Sequence, residues 1–175
     1  MQIALSGAHG VGKTTLIEEI TLSGLFPEYN ISTNLTRKLK EQGYNISEHG
    51  NDDTQLEIMR IHKNNMKYPN IIMDRCALDC YAYTEYLYQH FKICGHTHNT
   101  VFLDAMDCIQ KYTKIFYIKP EFELEDDGLR PIDKEFQTEI ADIFDHAISY
   151  YKINVIPLSG TIDQRITTFK QVLGI

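Results

Sequence analysis

The sequence predicts an α/β protein built on a doubly wound, mainly five-stranded parallel sheet flanked by helices. Short apolar runs alternate along the chain with segments of helical periodicity, which is the pattern of repeated βαβ units. The length of 175 residues fits one domain, 1–175, because it supports a sizeable core without dividing into two. The apolar fraction of 43% is that of an ordinary globular protein.

Five short apolar runs are predicted to form the strands. The run 70–74 is the best candidate for a central strand, since it is almost continuously apolar and ends in the carboxylate of Asp74. The predicted strands are 2–5, 29–32, 70–74, 115–118 and 154–158.

Segments with apolar residues three and four positions apart are predicted to form helices. Gly24, Gly43 and Pro69 follow three of these segments and are residues that end helices. The last helix starts at Thr161, where Gln164 completes a capping box. The predicted helices occupy 14–23, the region of 35–39, 54–67, 77–91, the region of 102–109, 136–147 and 161–173.

Two segments are predicted to be loops. Residues 94–98 carry a cysteine and two histidines, and we interpret them as a polar loop between two helices, because a zinc site needs four converging ligands. Residues 121–133 are acidic, contain Gly128 and Pro131 and show no periodicity, so we expect them to form a loop of the kind that can close as a lid.

Composition excludes several classes of function. The net charge of -7 argues against broad electrostatic binding to nucleic acid. No apolar run approaches the roughly 20 residues that span a membrane, and no signal peptide is visible, so we expect a cytoplasmic protein without a membrane partner. The four cysteines lack CxxC spacing and are expected to be reduced thiols.

The strongest motif lies in residues 7–14, which match G-x-x-x-x-G-K-[ST] at every fixed position and fall between a predicted strand and an amphipathic helix. Its glycines let the backbone approach phosphate, so that N–H groups point at the anion. Lys13 places a positive charge on the β- and γ-phosphates, and the Thr14 hydroxyl ligates Mg²⁺. We therefore predict a site for ATP or GTP. The nucleotide-binding candidates here are Gly7, His9, Gly10, Val11, Gly12, Lys13, Thr14 and Thr15.

Asp74 and Arg75 follow the central strand. If that strand neighbours the first one, Asp74 lies beside the phosphate loop, where it either holds Mg²⁺ or takes a proton from an attacking hydroxyl. Asp74 also suits the N-cap of the next helix, and the roles are compatible. Arg75 offers a planar fork for phosphate oxygens. Tyr81 on that helix is a candidate acceptor contact, although its place on the apolar stripe equally suits the core.

Three further arginines are candidates. Arg130 lies in the lid segment, where it either closes over phosphates or pairs with neighbouring acidic residues. Arg37 follows the second predicted strand. Arg165, near the Ser159–Gly160 turn, either flanks the purine or is exposed.

These segments resemble the P-loop nucleoside and nucleotide kinases, particularly the nicotinamide ribonucleoside kinase-like family and phage-type deoxynucleoside monophosphate kinases. The resemblance covers most of 3–165 and implies the P-loop kinase fold. It implies that Lys13, Asp74, Arg75 and Arg130 are catalytic and that Arg37 contacts the acceptor. One departure is Asp79, which stands where thymidylate kinases often carry a small hydroxyl residue. The segments that carry the resemblance are 7–15, 36–39 with Gly43, 72–79 with 81–83, and 126–130 with Asp133.

The predicted function is phosphoryl transfer from ATP, with Mg²⁺, to a nucleoside monophosphate, a deoxynucleotide being favoured. Arg37 and Arg75 would then clamp the acceptor phosphate, and no strong base is needed. The alternative is a nucleoside or nicotinamide riboside kinase, in which Asp74 is the base for a neutral hydroxyl.

A third reading is a nucleotide-dependent switch or binding protein, which is disfavoured because the sequence lacks an Asn-Lys-x-Asp element for guanine. The expected partner is a small-molecule nucleotide or nucleoside acceptor, and a homodimer stays open.

Overall fold

The computed structural model describes residues 1–121 and 133–175, and in them a five-stranded sheet runs in the order β2-β3-β1-β4-β5. Every pairing between neighbouring strands is parallel, which confirms the predicted doubly wound α/β fold. The strands are β1 (Gln2–Ser6), β2 (Asn30–Ser32), β3 (Ile71–Asp74), β4 (Lys114–Tyr117) and β5 (Ile156–Pro157).

Strand β1 lies at the centre, between β3 and β4. All four residues of β3 are buried, as the apolar run predicts for a strand covered on both faces. The register pairs Leu5 with Asp74, which confirms that the strand ending in Asp74 neighbours the first strand. The carboxyl ends of β1 and β3 therefore meet, and ligands of such sheets bind at that edge.

Helices cover the sheet in two contact groups: α1 packs on α7, whereas α3, α4, α5 and α6 pack on one another. The helices are α1 (Lys13–Leu22), α2 (Leu35–Glu41), α3 (Asp52–Asn65), α4 (Ala77–Gln89), α5 (Gly95–Ile109), α6 (Lys134–Tyr150) and α7 (Ile162–Leu173), with a short 3₁₀ helix at Ser47–His49. Among the residues described, no helix is both long enough and apolar enough to cross a membrane.

The prediction of a loop at 94–98 is wrong, because α5 begins at Gly95. A tertiary contact stabilises this start: the Cys94 amide donates a hydrogen bond of 3.0 Å to Asp52 Oδ1. Thr97 is buried within the first turn. Gly95 is thus the first residue of the helix.

The end of α4 and the fifth strand also differ from prediction. Helix α4 stops at Gln89, and Phe91 adopts a left-handed φ of 55° with 95% of its surface exposed, so it does not join the apolar stripe. Strand β5 has only two residues, and Pro157 within it lacks an N–H for a further ladder bond. The capping box at Thr161 and Gln164 is confirmed.

Candidate nucleotide and acceptor site

The phosphate loop, residues 7–14, joins the end of β1 to the start of α1 and needs glycine at two positions. Gly7 has a φ of 145°, and a Cβ there would lie 2.2 Å from the Ile118 carbonyl oxygen. Gly12 has a φ of 84° and forms the N-cap of α1. Glycine is the residue that adopts such angles without strain, so the conformation of the loop follows from the motif. Gly10 and Thr15 are exposed, whereas Val11 is buried.

Lys13 lies within this loop. Its ammonium group donates hydrogen bonds to the carbonyl oxygens of Gly7, at 2.7 Å, and Ala8, at 2.6 Å. The side chain is 4% exposed, so its charge is held in a site with little water. A positive charge in such a place acts on a phosphate more strongly than the same charge on the surface.

The Thr14 hydroxyl donates a hydrogen bond of 2.7 Å to Asp74 Oδ2. The structure thus brings the two predicted Mg²⁺ ligands together, one from α1 and one from the end of β3. A hydroxyl beside a carboxylate is a donor set that suits Mg²⁺, which prefers oxygen ligands and usually takes few of them from protein. Asp74 does not cap α4, because the residue at the N-cap of that helix is Cys76.

Asp79 also belongs to this site, although the sequence analysis did not predict it as a site residue. Its carboxylate accepts hydrogen bonds from Ser6 Oγ at 2.8 Å, from the Cys76 amide at 3.1 Å and from the Gly7 amide at 3.4 Å. The side chain thereby ties the first turn of α4 to the start of the phosphate loop. Burial raises the pKa of Asp79, and the positive charges of Lys13 and Arg75 oppose that rise.

Arg75 lies between the phosphate loop and the helices beside it. Its backbone is left-handed, with a φ of 77°, a conformation that is strained for a residue with a side chain. Its Nη1 lies 3.5 Å from Asp79 Oδ1, and the guanidinium stands over the Tyr83 ring at 5.2 Å. Burial disfavours the charged form, but Tyr83, Asp79 and Asp74 together raise the pKa of Arg75 above its ordinary value.

His9 anchors the tip of the loop to the helices. Its amide donates a 3.1 Å hydrogen bond to Tyr83 Oη, and its carbonyl oxygen accepts one of 2.7 Å from Gln137 Nε2. The imidazole ring stacks on Phe136 at a centroid distance of 4.9 Å. His9 is 3% exposed, so its contacts in this structure support the shape of the loop.

A cleft opens beside Thr14 and Asp74, between α2, α3 and α4. Arg37, on α2, and Arg75 both line it, and their role as acceptor contacts stays a prediction. The cleft is lined by Thr14, Asn34, Leu35, Thr36, Arg37, Lys40, Ile46, Ser47, Gln55, Ile58, His62, Asp74, Arg75, Asp79, Cys80 and Tyr83.

Tyr81 is not brought to this cleft, which corrects its prediction as an acceptor contact. Its hydroxyl donates to Glu85 Oε2 at 3.4 Å, and its ring packs on Phe102 and Tyr151. Residues two positions apart on a helix point about 200° away from each other, so Tyr83 reaches the cleft and Tyr81 faces the opposite way.

Arg165 is buried, with 2% of its surface exposed, which corrects the expectation that it flanks the purine or is exposed. Its Nη1 donates a hydrogen bond of 2.6 Å to the Val11 carbonyl oxygen, and its Nη2 lies 3.2 Å from Glu121 Oε2. Arg165 therefore supports the phosphate loop through its backbone. Arg130 and nearly all of the predicted lid, 121–133, lie outside the residues that the structure describes.

A family model described as AAA domain matches residues 2–165, which is most of the chain. This chain belongs to the AAA domain family. No curated protein matches the sequence.

Solved structures show that this AAA domain has the P-loop kinase fold. Deoxyadenosine kinase from M. mycoides, with products dCMP and dCDP bound, superposes with a TM-score of 0.72 and 17% identity over 99% of this chain and 98% of that one. NadR in complex with NR gives a TM-score of 0.73 and 17% identity over 99% of this chain and 51% of that one. The AAA domain thus spans about half of NadR and the full length of the kinase. The resemblance to P-loop kinases is confirmed at the level of the fold.

Proposed function

We propose that the protein is a nucleoside kinase, which transfers the γ-phosphoryl group of ATP to a hydroxyl of a nucleoside or a nucleoside-like acceptor. The observation that carries this proposal is the contact between Thr14 and Asp74, because it puts a carboxylate where the phosphate loop meets the cleft. The fold neighbours support it, since one is a deoxyadenosine kinase and another was solved with NR.

The residues of the chain have distinct tasks in this reaction. Residues 7–14 bind the polyphosphate, and Lys13 neutralises charge on the transferring group. Thr14 and Asp74 would hold Mg²⁺, which neutralises phosphate charge when bound. Asp74 Oδ2 is engaged by Thr14, and among residues 1–121 and 133–175 no donor is bonded to Oδ1. We assign Oδ1 to the acceptor hydroxyl, whose proton it takes.

The charge of the inner cleft favours a neutral acceptor over a phosphorylated one. Among the described residues, three cations and two carboxylates line the cleft, and two of those cations, Arg37 and Lys40, are exposed. The third, Arg75, pairs with Asp79 at 3.5 Å and is also stabilised by Asp74, so the part of the cleft beside Asp74 has little excess positive charge for a second phosphate. We therefore rank a nucleoside-like acceptor above a nucleoside monophosphate, which is the reverse of the order that the sequence alone favoured.

A nucleoside monophosphate is the second candidate acceptor, because Arg37 and Lys40 line the cleft from α2 and offer positive charge farther out. An acceptor panel separates the two. Purified protein, Mg²⁺ and labelled ATP are incubated with each nucleoside, nicotinamide riboside and each monophosphate. We expect label on nucleosides or nicotinamide riboside. Label on monophosphates alone would establish the second candidate, and slow ATP hydrolysis without transfer would favour a switch.

Replacing Lys13 tests the donor site. In Lys13→Ala we expect the transfer rate to fall by about 100-fold or more, because the charge that stabilises the transferring group is lost. The matched control is Lys63→Ala, which removes a lysine paired with Asp104 on the surface. A Lys13→Ala protein that keeps its rate contradicts the assignment of residues 7–14 as the donor site.

A further inference from the structure

Helix α3 forms one wall of the cleft and places a histidine in it. Gln55, Ile58 and His62 are spaced three and four residues apart, so they share one face of the helix, and all three line the cleft. His62 is 2% exposed, which makes it one of the most deeply buried polar side chains of that wall.

One buried ring nitrogen of His62 has no hydrogen-bond partner within the part of the chain that the structure describes. This atom, Nδ1, is inaccessible to solvent and is bonded to nothing in residues 1–121 and 133–175. Most buried polar atoms in folded proteins have a partner, so one that lacks it needs an explanation, such as strain, a functional role or a bound water or ion. The other ring nitrogen, Nε2, is not sealed from solvent and likewise has no bond to the described residues, so it is the nitrogen that a ligand in the cleft can reach.

The surroundings of His62 favour the neutral ring. Burial and the nearby charge of Arg75 lower the pKa of His62 to about 3. A neutral imidazole offers one donor and one acceptor nitrogen and carries no charge to attract an anion. The charged residues that line the same cleft from other elements are Arg37, Lys40, Asp74, Arg75 and Asp79.

We propose that His62 is a specificity-determining residue, whose ring forms a hydrogen bond with an uncharged polar group of the acceptor, either the edge of its base or a sugar hydroxyl. The inference rests on the proposed nucleoside kinase function. The acceptor then lies with its reactive hydroxyl at Asp74 and an uncharged polar end against α3. Acceptors that lack that polar group are discriminated against because the buried ring stays without a partner.

Calorimetry on three variants tests the role. His62→Leu removes both ring nitrogens, whereas His62→Asn and His62→Gln each restore an amide donor and acceptor at a different reach. Each protein is titrated with Mg-ATP and with the nucleosides and nicotinamide riboside of the acceptor panel. The matched control is His96→Leu, which replaces an exposed histidine on α5.

We expect His62→Leu to bind its acceptor about tenfold more weakly than wild type, with Mg-ATP affinity unchanged. One of the two amide variants is expected to recover most of that loss, and kcat should change less than KM. Acceptor affinity in His62→Leu within about twofold of wild type overturns the inference but leaves the kinase proposal standing. A wild-type protein that binds no acceptor overturns both.

A measurement on the wild-type protein decides the matter if His62→Leu does not fold. The ¹⁵N resonances of the His62 ring are recorded with and without acceptor. We expect a ring nitrogen to shift on acceptor binding, because its hydrogen bonding changes. Resonances that stay in place when the cleft is saturated overturn the inference.

Discussion

At the scale of single residues, buried polar groups shape the site. Lys13, Asp79 and His62 are each at most 4% exposed, yet each has a different chemical situation. Lys13 is bonded to the carbonyl oxygens of its own loop, and Asp79 accepts from three donors. His62 has a lowered pKa and a ring nitrogen that is bonded to nothing within the described residues. In this structure Lys13 and Asp79 therefore help to hold the loop, whereas the His62 ring makes no such bond to the residues described.

The low pKa of His62 gives a prediction for stability against pH. In the unfolded chain a histidine binds a proton below about pH 6.5, whereas the folded ring does so only near its pKa of about 3. The unfolded state thus binds more protons between these values. The contribution of His62 to the free energy of unfolding is therefore fully present above pH 6.5 and is lost as the pH falls towards 3.

Urea unfolding of wild type and His62→Gln at pH 7 and pH 5 measures this effect. When the pH is lowered from 7 to 5, wild type should lose about 2 kcal/mol more of its free energy of unfolding than the variant does. The surface variant His96→Gln serves as the control and is expected to follow wild type. Parallel losses in wild type and His62→Gln would mean that His62 takes up its proton over the same pH range in the folded and unfolded states, so that its pKa is not lowered.

At the scale of elements, local sequence governs where several helices start. Helix α7 begins with a capping box, in which the Thr161 amide donates to Gln164 Oε1 at 2.8 Å and the Gln164 amide donates to Thr161 Oγ1 at 3.4 Å. In helix α5, by contrast, the start depends on Asp52 from α3. A cap formed within one turn is visible in the sequence, and a cap supplied by a distant element is not.

The cap of α7 gives a second prediction. Thr161→Ala should lower the free energy of unfolding by about 1 kcal/mol, because an N-terminal amide of the helix loses its acceptor. Chemical denaturation measures it. Thr167→Ala is the matched control, since Thr167 is exposed within the same helix and alanine is the better helix former. Equal stability of the Thr161→Ala and Thr167→Ala proteins would contradict a role for the cap.

At the scale of the whole molecule, the final helix supports the first loop. The guanidinium of Arg165 bonds to Val11, 154 positions earlier in the sequence, and contacts Glu121 at 3.2 Å. The phosphate loop is therefore held from the α7 side by Arg165 and from the α4 side by Asp79. Its shape depends on the packing of both helix groups against the sheet.

Arg165→Met tests this support. The substitution keeps much of the side-chain bulk but removes the charged donor, so we expect the free energy of unfolding to fall by about 2–4 kcal/mol. Affinity for Mg-ATP should fall as well, because Arg165 bonds to the backbone of the phosphate loop at Val11. Arg60→Met is the control, since Arg60 pairs with Glu57 on the surface. If the two variants are equally stable and bind ATP alike, Arg165 does not support the loop.

Much of the donor site was predictable because its chemistry depends on short spacing. Gly7, Gly12, Lys13 and Thr14 lie within one motif, and a strand before it and a helix after it suffice to orient their backbone. The position of Asp74 followed from one further assumption, that its strand neighbours the first, and the register of β1 with β3 bears this out.

The sequence by itself determined the fold class, the phosphate loop and the carboxylate at the end of β3, because each follows from a local pattern of apolar, glycine and polar residues. Only the tertiary structure decided that Tyr83 rather than Tyr81 faces the cleft, that Arg165 is buried beneath the loop, and that His62 lines the cleft wall. The physical reason is that these placements depend on the rotation and packing of helices whose partners are far away in the chain. A local sequence pattern does not specify which distant group packs beside it.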